Sequence, residues 1–156
     1  MKLWIIYKEG IGFSKMIAEM LQDRLEEFID ISVGNARKID PSFLVEEKID
    51  YLIIGDVTSE LNPSREIQDW LHKYKKIAKN KNLTIKVVSG FYVATDSSDQ
   101  TLWVEFLQDN VKAEEFHPPI LILKLNETEL SLENGSLESI KYYINDIIDF
   151  FINNDY

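Results

Sequence analysis

The stretch from Lys2 to Phe28 constrains this chain more than any other: a short apolar strand, a glycine turn and an amphipathic helix. Leu3, Trp4, Ile5, Ile6 and Tyr7 form a continuous apolar run, the pattern of a strand buried on both faces. The turn Lys8-Glu9-Gly10-Ile11-Gly12-Phe13 holds two glycines, which permit positive φ and close approach of backbone to a ligand. Ser14 stands where an N-cap is expected, and Met16, Ile17, Met20, Leu21, Leu25 and Phe28 recur at helical spacing. A strand, a glycine-bearing loop and a helix N-terminus together suit a phosphate. The same residues also suit an ordinary strand-to-helix turn, and both readings stay open.

The rest of the chain repeats the alternation. Ile29 to Val33 alternates apolar and polar, as a half-exposed edge strand does, and a helical turn is expected near Pro41 to Val45. Tyr51 to Ile54 reads as a buried strand closed by Gly55, followed by a loop and a helix with Asn62 as N-cap and Pro63 at its first position. Leu83 to Ser89 is the next strand, with Gly90-Phe91-Tyr92 opening a loop; Thr95 to Asp99 then caps a helix carrying Leu102, Trp103, Phe106, Leu107 and Val111 inward. Ile120 to Leu123 is the fifth strand, Thr128 to Leu132 could extend it, and a last helix spans Leu137 to Phe151. Trp4, Trp70 and Trp103 fall on inward faces.

Alternation of this length predicts one α/β domain over residues 1–156: a three-layer, doubly wound sandwich around a five-stranded parallel sheet of order 2-1-3-4-5. The ligand crevice of such a sheet lies beyond the carboxyl ends of strands 1 and 3, lined here by loops 8–14, 55–62 and 89–99.

Charge and composition narrow the function. Seventeen Lys and Arg against 27 Asp and Glu give −10, a field that disfavours nucleic acid and anionic membranes. Without cysteine there is no disulfide, thiol nucleophile or cysteine-ligated cluster, and two distant histidines offer no metal constellation. No apolar run approaches the ~20 residues of a membrane span, so a cytoplasmic location is expected. Lys73, Lys75, Lys76, Lys79 and Lys81 form a basic run at the end of a helix, readable as a solvated face or a partner dock.

These features together resemble the flavodoxin family over essentially the whole chain, in its short-chain type. That family carries Ser/Thr-x-Thr-Gly-x-Thr after its first strand. Here the positions read Glu9-Gly10-Ile11-Gly12-Phe13-Ser14, so Gly12 and Ser14 match while Glu9 and Ile11 replace hydroxyl residues. Tyr51 to Leu71, with Gly55 and Asn62-Pro63-Ser64, resembles the family's third strand, second loop and third helix, and Asp96-Ser97-Ser98 and Thr128 to Gly135 resemble its later segments.

The resemblance implies bound flavin mononucleotide (FMN), electron transfer, and redox partner proteins with basic docking surfaces. The residues it assigns to the cofactor are Glu9, Gly10, Ile11, Gly12, Phe13 and Ser14 at the phosphate, and Val57, Thr58, Ser59, Gly90, Phe91 and Tyr92 around the ring. Phe91 and Tyr92 are the expected stacking aromatics; none stands near Thr58-Ser59, and Asp99 replaces the family's later tyrosine. Two other readings remain: a flavodoxin-fold binding module without flavin, and a flavin-dependent quinone or protoporphyrinogen-type reductase.

Overall fold

In the computed structural model, the described residues are 1–8, 10, 12–58, 61–94, 99–116, 121–126, 131–132 and 135–153. The elements are β1 (Lys2–Tyr7), α1 (Phe13–Leu25), β2 (Asp30–Asn35), α2 (Pro41–Glu47), β3 (Tyr51–Thr58) and α3 (Arg65–Asn80). After them come β4 (Ile85–Ala94), α4 (Thr101–Asn110), β5 (Ala113–Phe116), β6 (Leu121–Asn126), β7 (Ser131–Leu132) and α5 (Ser136–Asn153).

The sheet runs β2-β1-β3-β4 and then β6, all parallel, with β5 beside the first half of β4 and β7 antiparallel to β6. The predicted order 2-1-3-4-5 is therefore present, its fifth position shared by two segments. Val88 pairs with Phe116 and Phe91 with Leu121, so three steps along β4 face five along the edge.

Strands buried on both faces send alternate side chains to opposite cores. Leu3, Ile5, Tyr7, Tyr51, Ile53, Phe91 and Val93 pack against α1 and α5. Trp4, Ile6, Leu52, Ile54, Val88, Tyr92 and Ala94 face α2, α3 and α4. β2 keeps its middle residues half-buried, as an edge should. Among the described residues no helix is long and apolar enough to cross a membrane.

Two expected boundaries move. β3 does not close at Gly55 but continues to Thr58, paired throughout with β4. Gly55 is instead a packing glycine: a Cβ there would lie 2.4 Å from Cζ of Phe91, its cross-strand partner. Likewise α3 is capped by Ser64, whose hydroxyl accepts from Ile67 N, so Asn62 and Pro63 precede the helix rather than begin it.

Replacing glycine in a compatible conformation usually stabilises through the unfolded chain, but here the ring has nowhere to go because Phe91 is fully buried. Gly55→Ala should destabilise by about 1–3 kcal/mol in urea unfolding. In that background Phe91→Leu should cost less than it does in the wild type; equal costs would contradict the packing account.

Candidate functional site

The crevice expected at the carboxyl ends of β1 and β3 begins at the start of α1. Gly12 is the N-cap, at φ +93° in the left-handed region, and no side chain caps the helix. Its carbonyl accepts the first helical bond, from Met16 N at 3.0 Å. The first-turn N–H groups thus lack an intrahelical acceptor, and no acidic side chain stands in that turn. Added Cβ atoms at Gly10 and Gly12 would meet nothing within 4 Å.

Ser14, expected as N-cap, is the second residue of the helix. Left-handed Gly12 starts the turn two residues earlier. Ser14 is 1% exposed, and its Oγ has no hydrogen-bond partner among the described residues. A buried hydroxyl without a partner is costly and uncommon. Phe13 is half-buried against the α1/α5 core. Glu9 and Ile11 lie outside the described residues.

At the end of β3 the controlling group is Asp56, fully buried. Its Oδ1 accepts from Val57 N at 2.8 Å; Oδ2 accepts from Ser64 N at 2.8 Å and Trp103 Nε1 at 3.1 Å. One carboxylate therefore ties β3 to the start of α3 and to α4. Burial raises its pKa above the ordinary 3.8, against the lowering effect of the Ser64 and Trp103 bonds and the Lys8 charge. Lys8 is itself engaged, its Nζ donating to Val57 O at 3.0 Å.

Of the expected ring contacts, Val57 is half-buried and Thr58 buried, both in β3, and Ser59 lies outside the described residues. Thr58 Oγ1 donates to Asn62 O at 3.0 Å across the loop, and Leu61 is exposed. Beside them an open cleft of about 580 Å³ runs from Lys8 and Thr58 to Ser64, Arg65 and Gln68.

The third expected loop requires correction. Gly90, Phe91 and Tyr92 do not open a loop; they are central residues of β4. Gly90 leaves room for the Trp103 ring, whose Cη2 would lie 2.7 Å from an added Cβ. Phe91 is 0% exposed over Gly55 and edge-on to Tyr143, while Tyr92 is 1% exposed and stacked on Trp103 at 5.1 Å. They point to opposite cores, and neither offers a free ring face. Asp96-Ser97-Ser98 lie outside the described residues. Asp99 is exposed and accepts from Thr101 N at 2.9 Å, which holds its carboxyl below the ordinary range.

Asp56 was not among the candidates read from sequence. Its signal was a lone carboxylate directly after a four-residue apolar run and a glycine. All three Trp residues are core, as expected, and two of their N–H groups anchor segments near the crevice or its flank: Trp103 to Asp56, and Trp70 to Ile39 O at 2.8 Å.

No family model matches the sequence, and no curated protein matches it. Solved structures do. Flavodoxin 2 from Bacillus cereus aligns with TM-score 0.72 at 18% identity, over 97% of this chain and 100% of that one. A flavodoxin from the domain Archaea gives 0.66 at 17%, over 93% and 95%. Rubredoxin oxygen:oxidoreductase from Desulfovibrio gigas gives 0.71 at 15%, over 94% of this chain but only 35% of that longer one. The chain has the flavodoxin-like fold.

Removing Asp56 tests the crevice. Asp56→Ala leaves three N–H donors without an acceptor and should cost about 3 kcal/mol or more of unfolding free energy. Asp56→Asn, a neutral isostere of the protonated carboxyl, should cost less than Asp56→Ala. The raised pKa means the folded chain binds this proton more tightly than the unfolded chain. Stability from the group is thus complete below pH 3.8 and lost as pH rises through the folded value. Urea unfolding across acid pH should show the wild-type advantage over Asp56→Asn shrinking as pH rises from about 4; an advantage that grows with pH would contradict this.

Proposed function

We propose that this chain is a flavodoxin-type electron carrier that holds flavin mononucleotide non-covalently at the carboxyl ends of β1 and β3. The observation that carries the reading is Ser14: a buried hydroxyl without a partner, in the first turn of a helix that no side chain caps. A terminal phosphate would accept from that hydroxyl and from the first-turn N–H groups, in the favourable field of the helix dipole. The two glycines leave the backbone open to it. The flavodoxins among the structural neighbours share this fold over nearly the whole chain.

Bound flavin would supply the redox chemistry itself. The chain's own part is positional. Asp56 holds the start of α3 and the Trp103 indole of α4 in fixed relation to the end of β3, and Leu61 is exposed. The net charge of −10 favours redox partners with basic docking surfaces. The second reading, a flavodoxin-fold module without flavin, gains from one observation: Phe91 and Tyr92 are core residues, so residues 90–92 supply no stacking ring.

Ser14→Ala separates the two readings with paired measurements. Loss of an unpaired buried hydroxyl should leave urea stability unchanged or raise it by up to ~1 kcal/mol. The same change should weaken FMN binding roughly tenfold in a fluorescence titration, because a charge-assisted bond is lost. Unchanged FMN affinity would contradict the phosphate assignment.

A further inference from the structure

The far end of the molecule carries a feature that the crevice does not use. Between residues 73 and 81 lie five of the chain's 17 cationic side chains and no acidic one, leaving 12 against 27 acidic groups elsewhere. All five are exposed. Among the described residues only Lys73 reaches a carboxylate, Asp40 at 3.5 Å. Helix-dipole complementarity acts within the last turn, and only Lys79 of α3 stands there. The pairs Lys73/Lys76, Lys76/Lys79 and Lys75/Lys79 are three or four apart, where like charges destabilise a helix. The cluster therefore exceeds what the helix needs.

A groove of about 520 Å³ lies beside it, between the C-terminal ends of α3 and α4. Lys75, Lys79 and Lys112 line it together with apolar Ala78 and Leu83. The amides of Asn82 and Gln108 add the donors and acceptors that an extended backbone requires, and Asp109 is the one acidic side chain among the lining residues. We propose that this groove docks an acidic peptide segment of a partner protein, its carboxylates on the three lysines and an apolar side chain over Ala78 and Leu83.

Charge and shape select that occupant. Lysines spread around apolar Ala78 and Leu83 suit an anion whose charges and apolar side chains are spaced along it rather than a compact one such as phosphate. The acidic remainder of the chain repels an extended polyanion such as nucleic acid. Carboxylates spaced along a peptide meet lysines spaced along a helix. At 1.5 Å per residue, α3 puts Lys79 about 22 Å from the Ser64 cap that Asp56 holds, so an occupant of this groove leaves the crevice free.

The test is fluorescence anisotropy of the full chain with a labelled synthetic peptide of repeating Glu-Glu-Leu units at low salt. Saturable binding is expected, at least roughly tenfold weaker for Lys75→Glu/Lys79→Glu/Lys112→Glu. The same charge reversal at Arg24 and Lys141, on the other face of the sheet, should change it by less than about twofold. A Glu-Glu-Ser peptide should bind several-fold less tightly. The proposal is overturned by absence of binding, by equal loss in the two charge-reversal variants, or by equal affinity for the serine peptide. Tighter binding of duplex DNA of similar length would also overturn it, as would self-association of the wild type abolished by the triple reversal. None of these outcomes depends on whether the chain binds flavin.

Discussion

One buried carboxylate joins three parts of this fold that lie apart in sequence. Asp56 accepts from its own neighbour, from the start of α3 and from an indole of α4, and has no exposed surface. Burying a carboxyl is costly unless its oxygens are satisfied, and three N–H donors do that here. The cost becomes specificity. The β3 end, the α3 start and the α4 indole have one arrangement that satisfies the group, and that arrangement shapes the crevice wall.

Around this hub the sheet interlocks through rings and glycines. Phe91 fills the space above Gly55, and the Trp103 ring fills the space above Gly90 while its N–H reaches Asp56. Ring burial supplies apolar stabilisation, and the missing Cβ atoms let strands and helix approach. The aromatics of β4 thus belong to the frame. Among the described residues at the start of α1, a ligand meets uncapped backbone, two open glycines and the Ser14 hydroxyl, which has no partner.

Much of the fold was legible because strands 1 and 3 are unbroken apolar runs between turn signals, and helices follow with clear periodicity. The strand ends were not, for one physical reason seen twice. Gly55 looks like a strand end until Phe91 is seen filling its Cβ position and the Asp56 carboxylate beyond it is seen satisfied by three N–H groups. Gly90 looks like a loop signal until the Trp103 ring is seen occupying its Cβ position. Helix starts slipped by two residues at Ser14 and Asn62, since Gly12 and Ser64 cap instead. The orphaned hydroxyl of Ser14 could not be read from any pattern, because a missing partner is a property of three dimensions.

The central claim is that the start of α1 is built for the phosphate of a flavin nucleotide. The most direct measurement is the visible absorption spectrum of the purified chain after incubation with FMN, or with riboflavin, and desalting. The account predicts a retained flavin band with FMN and none with riboflavin, which has the same ring but no phosphate. Loss of both, or equal retention of both, would contradict it.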